Sequence, residues 1–374
     1  PGNPMSTPSR QIKLGAFLMQ TGHHIAAWRH PDASADAGQN FRHYVDLARK
    51  AEAAKFDAVF FADSVGVRNM HSASLSRTAR AEHFEPLTLL SALAAVTERI
   101  GLIATVSTTY NEPYHVARKF ASLDLISDGR SGWNLVTSSG EGEAQNFNLD
   151  THVAHPLRYQ RAEEFYDVVT GLWDTWEDDA FIRDKDTGEF FDAGKHHALH
   201  HKGRHFSVRG PLNVGRSPQG WPVVVQAGAS EAGRDLAART AEVIFVAHQT
   251  FDQAREFYGD IRQRAAQYGR DPDGIKIMPG IFPIVGRTQE EAEEKFQTLQ
   301  DLIHPVVGVS LLSNMIGGID LSAYPVDGPL PSLPETNGGK SRQQLLIDLA
   351  QRENLTIRDL YPVSYTHLTL PTKA

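Results

Sequence analysis

The stretch Trp221-Pro-Val-Val-Val-Gln-Ala-Gly-Ala-Ser230-Glu-Ala-Gly-Arg-Asp235 decides how the rest of the chain is interpreted. Its apolar, β-branched run over residues 223–225 is typical of a buried strand in a parallel sheet. Ser230 is a good N-cap for the helix predicted to follow, and the first turn of a helix offers free N–H groups and a partial positive charge. The stretch is therefore compatible with an anion site, most often for a phosphate, and equally with an ordinary β-to-α turn.

The composition excludes several classes of protein. The chain has 374 residues and 41% hydrophobic content, which is enough for a large core. A net charge of −8 without a long basic run argues against binding to nucleic acid or to a membrane surface. The absence of cysteine excludes disulfides, thiolate metal sites and a cysteine nucleophile. Because no apolar run approaches the roughly 20 residues that span a bilayer and no secretory signal is visible, a soluble cytoplasmic protein is expected.

Apolar runs with strand character alternate with amphipathic helical patterns along most of the chain. This alternation predicts an α/β protein with a parallel sheet, and the lack of an internal boundary favours a TIM-type (β/α)8 barrel over a doubly wound sheet. The predicted strands are residues 12–18, 58–61, 100–106, 132–137, 223–225, 242–246 and 275–284.

Two long segments interrupt this pattern. Residues 178–220 are rich in Gly, Asp and His and predict a loop-like insertion. Residues 304–340 are rich in Gly and Pro and predict a long, lid-like loop.

Polar residues follow the ends of several predicted strands. In a barrel, the carboxyl ends of the strands form the functional face. Each of these residues could simply cap the next helix, but several of them at one rim favour a binding site. They are Asp63, Thr105, Asn134, Ser138, Gln226 and Ser230.

Histidines supply two further candidate sites. His155 and Tyr159 lie four residues apart, so on a helix they share one face and could reach a phosphate or a ring, or could simply pack on their neighbours. A denser group of histidines lies in the predicted insertion, in a polar, Gly-rich context without an HExxH pattern, which favours a solvated loop over a metal site. That group is His196, His197, His200, His201 and His205.

Seven short stretches, taken together, carry a family resemblance. In chain order they are Gly15-Ala-Phe-Leu18, Thr21-Gly-His-His24, Ala27-Trp-Arg-His-Pro31, Phe56-Asp-Ala-Val-Phe-Phe-Ala-Asp63, Glu98-Arg-Ile-Gly-Leu102, Ser131-Gly-Trp-Asn-Leu-Val-Thr-Ser138 and Gln226-Ala-Gly-Ala-Ser230. In order and spacing they resemble the bacterial luciferase-like flavin monooxygenases, and within them the nitrilotriacetate and dibenzothiophene-sulfone monooxygenase branch. The resemblance spans a barrel domain over residues 13–362.

The resemblance implies an FMN-dependent monooxygenase of the two-component kind. Such an enzyme uses reduced FMN and O2, through a hydroperoxyflavin intermediate, to oxygenate a small organic substrate. A separate NAD(P)H:flavin oxidoreductase supplies the reduced FMN, and the enzyme is expected to form a homo-oligomer. No metal is expected.

The resemblance also implies site residues. Asp63 and Thr105 would contact the isoalloxazine ring. His24, in the loop after the first strand, would lie near the reacting end of the flavin and is the candidate catalytic residue. The ribityl chain and phosphate would be held by Ser138, Ser139, His155, Tyr159, Ala229 and Ser230.

The resemblance ends near residue 362. Residues 363–374 match nothing in the family and are interpreted as a tail that replaces its C-terminal part, although residues 363–370 alternate like a strand. The last strand of an eight-stranded barrel is thus expected to be missing or replaced. In that case, the first and seventh strands would expose unpaired edges.

Three other functions stay open from the sequence. One is a deazaflavin-dependent oxidoreductase with the same barrel, and a second is a flavin-binding protein without catalysis. The third is a metal-dependent barrel hydrolase that uses the histidines of the insertion.

Overall fold

A computed structural model describes residues 11–67, 71–138, 140–248, 250–316, 319–332 and 340–366 of the chain. Its strands form a seven-stranded sheet and a separate two-stranded sheet. The strands are β1 (Gly15–Phe17), β2 (Ala58–Phe61), β3 (Gly101–Ser107), β4 (Ser131–Val136), β5 (His201–Lys202), β6 (Ser207–Val208), β7 (Val223–Gln226), β8 (Val243–Val246) and β9 (Lys276–Pro279).

Helices connect and surround the strands. They are α1 (Phe41–Ala53), α2 (Ser72–Leu75), α3 (Pro86–Ala94), α4 (Pro113–Ile126), α5 (Glu141–Gln145), α6 (His155–Trp173), α7 (Glu231–Thr240), α8 (Phe251–Gln267), α9 (Gln289–Asp301), α10 (Pro305–Met315), α11 (Lys340–Glu353) and α12 (Ile357–Thr366). Among the helices of the described residues, none is both long and apolar enough to cross a membrane.

The large sheet follows the order of the chain, β1-β2-β3-β4-β7-β8-β9, and every neighbouring pair is parallel. The sheet curves into a nearly closed barrel with the helices outside, as the alternating pattern predicts. The TIM-type α/β fold predicted from the sequence is therefore confirmed. The register places Thr105 of β3 directly opposite Asn134 of β4.

The core lies between the barrel and its helices. Trp133 of β4 is completely buried, and its ring packs 5.9 Å, centroid to centroid, from both Phe120 of α4 and Phe165 of α6. Its Nε1 donates a hydrogen bond of 3.1 Å to the carbonyl oxygen of Val106. This bond removes the penalty of burying the indole N–H and fixes β4 against β3.

The two end strands, β1 and β9, face each other through side chains. A Cβ added to Gly15 would lie 3.3 Å from Cε of Met278 on β9. Beside this contact, the ring of Phe17 on β1 meets the ring of Phe245, on the neighbouring strand β8, edge to face at 5.6 Å. Within the described part of the chain, no hydrogen-bonded ladder joins β9 to β1 and no strand follows β9. The barrel therefore has one seam, closed by apolar contacts, between its first and seventh strands.

The prediction of a continuous loop over residues 304–340 is wrong for its first third, which forms α10. His304 caps this helix, with Nδ1 accepting a 3.2 Å hydrogen bond from the N–H of Val306, and Pro305 occupies the first turn. Gly308 does not mark a loop: an added Cβ would lie 2.5 Å from the ring of Tyr361, so glycine allows α12 to pack closely on α10. Residues 333–339 lie outside the described part.

The strand-like alternation predicted for residues 363–370 is also wrong over its described part. Residues 363–366 continue α12, which packs against α10. Residues 367–374 lie outside the described residues.

The insertion over residues 178–220 is anchored to α6 by one carboxylate. Glu164 accepts hydrogen bonds of 2.9 Å from the backbone N–H groups of His205 and Phe206 and from Nε2 of His201. These contacts position the short antiparallel pair of β5 and β6 beside the barrel.

Asp124 joins α4, β4 and the segment before β7 in the interior. Its fully buried carboxylate accepts hydrogen bonds from the N–H (3.1 Å) and Oγ (3.0 Å) of Ser131 and from the N–H (3.1 Å) and Nε2 (2.6 Å) of Gln219. One side chain thus satisfies four buried donors from two segments.

We expect Asp124→Ala to lower the free energy of unfolding by about 3 kcal/mol or more, because buried donors lose their acceptor. Urea denaturation followed by circular dichroism measures the change. The matched control is Asp46→Ala, at an exposed carboxylate of α1, which should change stability by less than about 0.5 kcal/mol. Equal losses in the two variants would contradict this role of Asp124.

Candidate functional site

A buried polar pair lies in the barrel at β3 and β4. Nδ2 of Asn134 donates a 2.9 Å hydrogen bond to Oγ1 of Thr105, and the two residues are 3% and 4% exposed. Oδ1 of Asn134 is buried and has no hydrogen-bond partner among the described residues. A buried acceptor without a donor is costly, so this atom indicates a place where a ligand N–H can bind.

Ser138, directly after β4, is held in an unusual conformation. Its φ is 57°, in the left-handed region that residues other than glycine rarely adopt. Its Oγ donates to Oγ of Ser107 at 2.8 Å and lies 3.3 Å from Oε1 of Glu143. Glu143 also accepts hydrogen bonds from the N–H groups of Val65 and Gly140. One carboxylate of α5 therefore joins the loops that follow β2 and β4.

The turn between β7 and α7 has the form expected of an anion site. Oγ of Ser230 caps α7 by accepting a 3.1 Å hydrogen bond from the N–H of Gly233. Gly228 and Gly233 approach so closely that a Cβ on either one would lie 2.9 Å from Cα of the other. Glycine at both positions thus lets the turn pack directly on the first turn of α7, and the N–H groups of that first turn are the part of the helix that suits a phosphate.

The predicted pair on α6 borders this turn. His155 and Tyr159 share one face of the helix, with ring centroids 4.8 Å apart, and His155 is exposed. Oγ of Ser230 lies 3.4 Å from Oη of Tyr159. Ala229 is exposed at the turn, and its carbonyl oxygen accepts a 3.0 Å hydrogen bond from Nε of Arg234.

Arg158 brings a buried positive charge next to these residues. It is only 8% exposed, its Nη1 donates a 2.7 Å hydrogen bond to the carbonyl oxygen of Ser138, and its Nε is buried without a partner among the described residues. No carboxylate among those residues pairs with it. The burial of Arg158 could not be predicted from the sequence, because it depends on how α6 packs against the end of β4.

Asp63 has a partner that the sequence does not indicate. Its carboxylate, with 15% of the side chain exposed, accepts a 2.9 Å hydrogen bond from Nε2 of His83. The two residues lie 20 positions apart in the long connection from β2 to α3, so no local pattern predicts the pair.

His24 is 3% exposed, and both of its ring nitrogens have hydrogen-bond partners. Nδ1 accepts from the N–H of Ala26 at 3.1 Å, so the proton is on Nε2, which lies 3.2 Å from Oε1 of Gln300. Burial lowers the pKa of His24, the hydrogen bond to Gln300 partly opposes this, and the nearby Arg80 lowers it further. This geometry favours a role in fixing the loop after β1 to α9.

His23 is half-buried and differently arranged. Nε2 lies 2.9 Å from the carbonyl oxygen of Phe17, so the ring donates there and keeps Nδ1 as an acceptor. Burial lowers the pKa of His23, the bond to Phe17 opposes this, and Arg80 lowers it further. His23 is therefore a neutral imidazole with a basic nitrogen at the barrel end of the loop.

The predicted site residues fall into separate groups. Thr105 lies beside Asn134 in the barrel, while Tyr159, Ser230 and His155 gather at the start of α7. Ser139 lies outside the described residues.

The histidines of the insertion have separate partners. Nε2 of His197 lies 2.8 Å from Oε1 of Glu177, His201 pairs with Glu164, and His196 packs on the ring of Trp176. Among the described residues, no group of three or more His, Asp or Glu side chains is arranged to hold a metal ion.

Comparison with known proteins identifies relatives of the chain. A family model described as "Luciferase-like monooxygenase" matches residues 19–351. The chain is 58% identical over 360 residues to an N-acetyl-S-(2-succino)cysteine monooxygenase of Bacillus subtilis, covering 96% of this chain and 80% of that protein. It is 48% identical over 361 residues to nitrilotriacetate monooxygenase component A of Aminobacter aminovorans, covering 94% and 80%. Among solved structures, DmoA from Hyphomicrobium sulfonivorans superposes with a TM-score of 0.86 at 33% identity, covering 96% and 78%.

The lowered pKa values of His23 and His24 make stability depend on pH. Above the unfolded-state pKa of about 6.5 neither state is protonated, and below it the unfolded chain takes up protons that the folded chain resists. Stability is therefore fully present above pH 6.5 and is lost as the pH falls toward the lower folded pKa.

We expect His24→Asn to reduce this loss between pH 7 and pH 5 by about 1 kcal/mol, because one of the shifted groups no longer titrates. The asparagine oxygen can still accept from Ala26, which limits damage to the loop. Urea denaturation at pH 7, 6 and 5 measures the slope. Gln263→Asn, at an exposed side chain of α8 that carries no titratable group, serves as control and should keep the wild-type slope. An unchanged slope in His24→Asn would rule out this explanation.

Proposed function

The chain belongs to the luciferase-like monooxygenase family, and from this we propose that it is a monooxygenase that uses reduced FMN and O2 to oxygenate a small organic substrate. The observation that carries the choice of FMN is the capped turn at the start of α7, with the hydroxyl of Tyr159 beside Ser230. FMN differs from riboflavin by a phosphate, and such a turn suits a phosphate.

The phosphate would be held at the N-terminus of α7. N–H groups of the first turn, Oγ of Ser230 and Oη of Tyr159 would donate to its oxygens, and His155 would border it from the same face of α6. The buried guanidinium of Arg158 adds positive charge nearby. The carboxylate of Glu231, the acidic residue of this first turn, is paired with Arg264 at 2.6 Å, which limits its repulsion of an anion.

The ring of the flavin would lie in the barrel at β3 and β4. The imide N–H of the flavin could donate a hydrogen bond to Oδ1 of Asn134, which has no donor among the described residues. Thr105 orients that amide, and Ser138, held by Ser107 and Glu143, would border the ribityl chain. Asp63 would contact the ring from the end of β2, with His83 fixing its carboxylate. These assignments to the phosphate, the ribityl chain and the ring, like those for Ala229 and Ser139, all stay predictions.

Bound reduced FMN would supply the electrons that activate O2, with one oxygen atom transferred to the substrate and the other leaving as water. The protein must orient the reactants and keep water away. At the rim where β1 ends, we propose that His23, in place of His24, is the residue that can accept a proton. Its Nδ1 atom is the acceptor. The aromatic rings of Phe17 and Phe245 give that region an apolar wall.

The relatives inform the partner and the substrate. One is named component A, which supports a second component, and we propose an NAD(P)H:flavin oxidoreductase that supplies reduced FMN in the cytoplasm. Homo-oligomer formation remains part of the proposal. The names of the two relatives specify N-acetyl-S-(2-succino)cysteine and nitrilotriacetate, which both have several carboxyl groups. A small carboxylate is therefore the first substrate to test. Both are monooxygenases, which argues against a deazaflavin-dependent oxidoreductase.

The proposed function is tested by anaerobic titration with reduced FMN, followed by turnover under 18O2 with a flavin reductase and N-acetyl-S-(2-succino)cysteine. We expect saturable binding and a product that carries one labelled oxygen atom. Binding without a labelled product from this compound or from nitrilotriacetate would point to a flavin-binding protein without this activity. Absence of binding in a folded sample would contradict the choice of FMN.

We expect Ser230→Ala to weaken binding of reduced FMN about tenfold or more, because the phosphate loses a hydroxyl donor and the ordered N-cap. Binding of reduced riboflavin, which has no phosphate, should be unchanged. Fluorescence titration of both flavins measures the difference.

Thr288→Ala is the matched control, since Thr288 caps α9 in the same way through the N–H of Glu291. It should lower stability by about 1 kcal/mol and leave affinity for both flavins unchanged. Equal weakening of FMN and riboflavin in Ser230→Ala would show that Ser230 does not act on the phosphate.

A further inference from the structure

Three cationic or donor side chains gather where the loops after β1 and β2 meet the start of α10. We call Arg29, Arg77 and His304 the basic cluster. Nη1 of Arg29 donates to the carbonyl oxygen of Leu302, two residues before His304. Nε1 of Trp28 donates a 3.1 Å hydrogen bond to the carbonyl oxygen of Arg77. These two contacts hold three separate segments of the chain together.

The basic cluster has no negative partner among the described residues. Neither Arg29 nor Arg77 forms an ion pair there, although Arg216, on the insertion, pairs with both Asp174 and Asp178. The other bonds from Arg77 go to the carbonyl oxygen of Ala73 and to Oγ of Ser76, both neutral groups. Both arginines are exposed, so their guanidinium groups can reach an anion from solvent.

His304 adds a directed donor. Its Nδ1 accepts from the N–H of Val306, so the proton of the neutral ring is on Nε2. Burial lowers the pKa of His304, and the charges of Arg77 and Arg29 lower it further. Placing like charges together costs free energy that a bound anion would recover.

The basic cluster lies at the functional end of the barrel. The loop that carries His23 and His24 continues directly into Trp28 and Arg29. His24 bonds to Gln300 near the end of α9, and the chain reaches His304 within the next turn. Arg29 of the basic cluster and the neutral imidazole of His23 are thus on the same loop, at the rim where β1 ends.

We propose that Arg29, Arg77 and His304 form the subsite that binds a carboxylate group of the substrate, so that the substrate is an organic anion. The inference rests on the proposed function, because it names the substrate class of the same enzyme. Two guanidinium groups and an imidazole N–H match the oxygens of a carboxylate, and Arg can bind it through two parallel hydrogen bonds. An uncharged isostere would leave these donors without an acceptor and be rejected.

The test is anaerobic calorimetric titration of the protein loaded with reduced FMN, so that no turnover occurs. The probes are N-acetyl-S-(2-succino)cysteine and its neutral trimethyl ester. We expect saturable binding of the acid by the wild type, at least tenfold weaker binding by Arg29→Gln and Arg77→Gln, and an intermediate loss in Arg29→Lys, which keeps the charge but not the fork. The ester should bind at least tenfold more weakly than the acid and should not respond to Arg29→Gln.

The control variant is Arg262→Gln, on α8, where the arginine is paired with Asp273. It should bind the acid as the wild type does. Thermal unfolding checks that each variant is folded. If Arg29→Gln does not fold, Arg29→Lys still tests the role of Arg29.

Four outcomes would overturn the subsite. They are wild-type affinity in both Arg→Gln variants, equal affinity of the ester and the acid, equal weakening in Arg262→Gln, and no saturable binding of this acid or of nitrilotriacetate. Titration with reduced FMN on the same samples separates the two proposals. If the wild type failed to bind FMN, the proposed function would fail by itself, and the subsite would be judged by the same titrations on the protein without flavin.

Discussion

Because neighbouring strands of the barrel run in the same direction, each must return through a longer connection, and all seven end at one rim. This constraint brings together residues that are far apart in the chain. The β3–β4 register sets Thr105 against Asn134, and α5 then ties the loop after β4 to the loop after β2 through Glu143. The site is therefore a product of the sheet geometry, and some of its side chains are fixed by contacts between loops, as Glu143 shows.

The strands and the α7 turn could be predicted from the sequence because their signals are local. A β-branched apolar run favours burial in any fold, and a serine such as Ser230 can cap the helix that follows it without help from distant segments. The roles of His83 and Arg158 could not be predicted, since they depend on segments that meet only in the folded barrel. The error at α10 has a similar cause: Gly308 looks like a loop residue until Tyr361 is seen packed against it.

The two candidate anion sites at the rim differ in construction. The turn before α7 uses backbone N–H groups, which are fixed by the helix and carry no net charge, and these suit an anion that always binds in the same pose. The basic cluster uses long arginine side chains on loops, which can adapt to anions of different shape. This division fits an enzyme with one constant cofactor and a substrate that differs between relatives.

The seam between β9 and β1 makes this barrel mechanically different from one in which hydrogen bonds join every pair of neighbouring strands. A ladder resists separation through directional hydrogen bonds that must break in sequence, whereas at this seam the apolar side chain of Met278 on β9 meets β1 at Gly15. Apolar contacts of this kind can slide by small amounts before they part. The barrel can therefore deform at this seam. The seam adjoins β1, and the loop after β1 carries both His23 and Arg29.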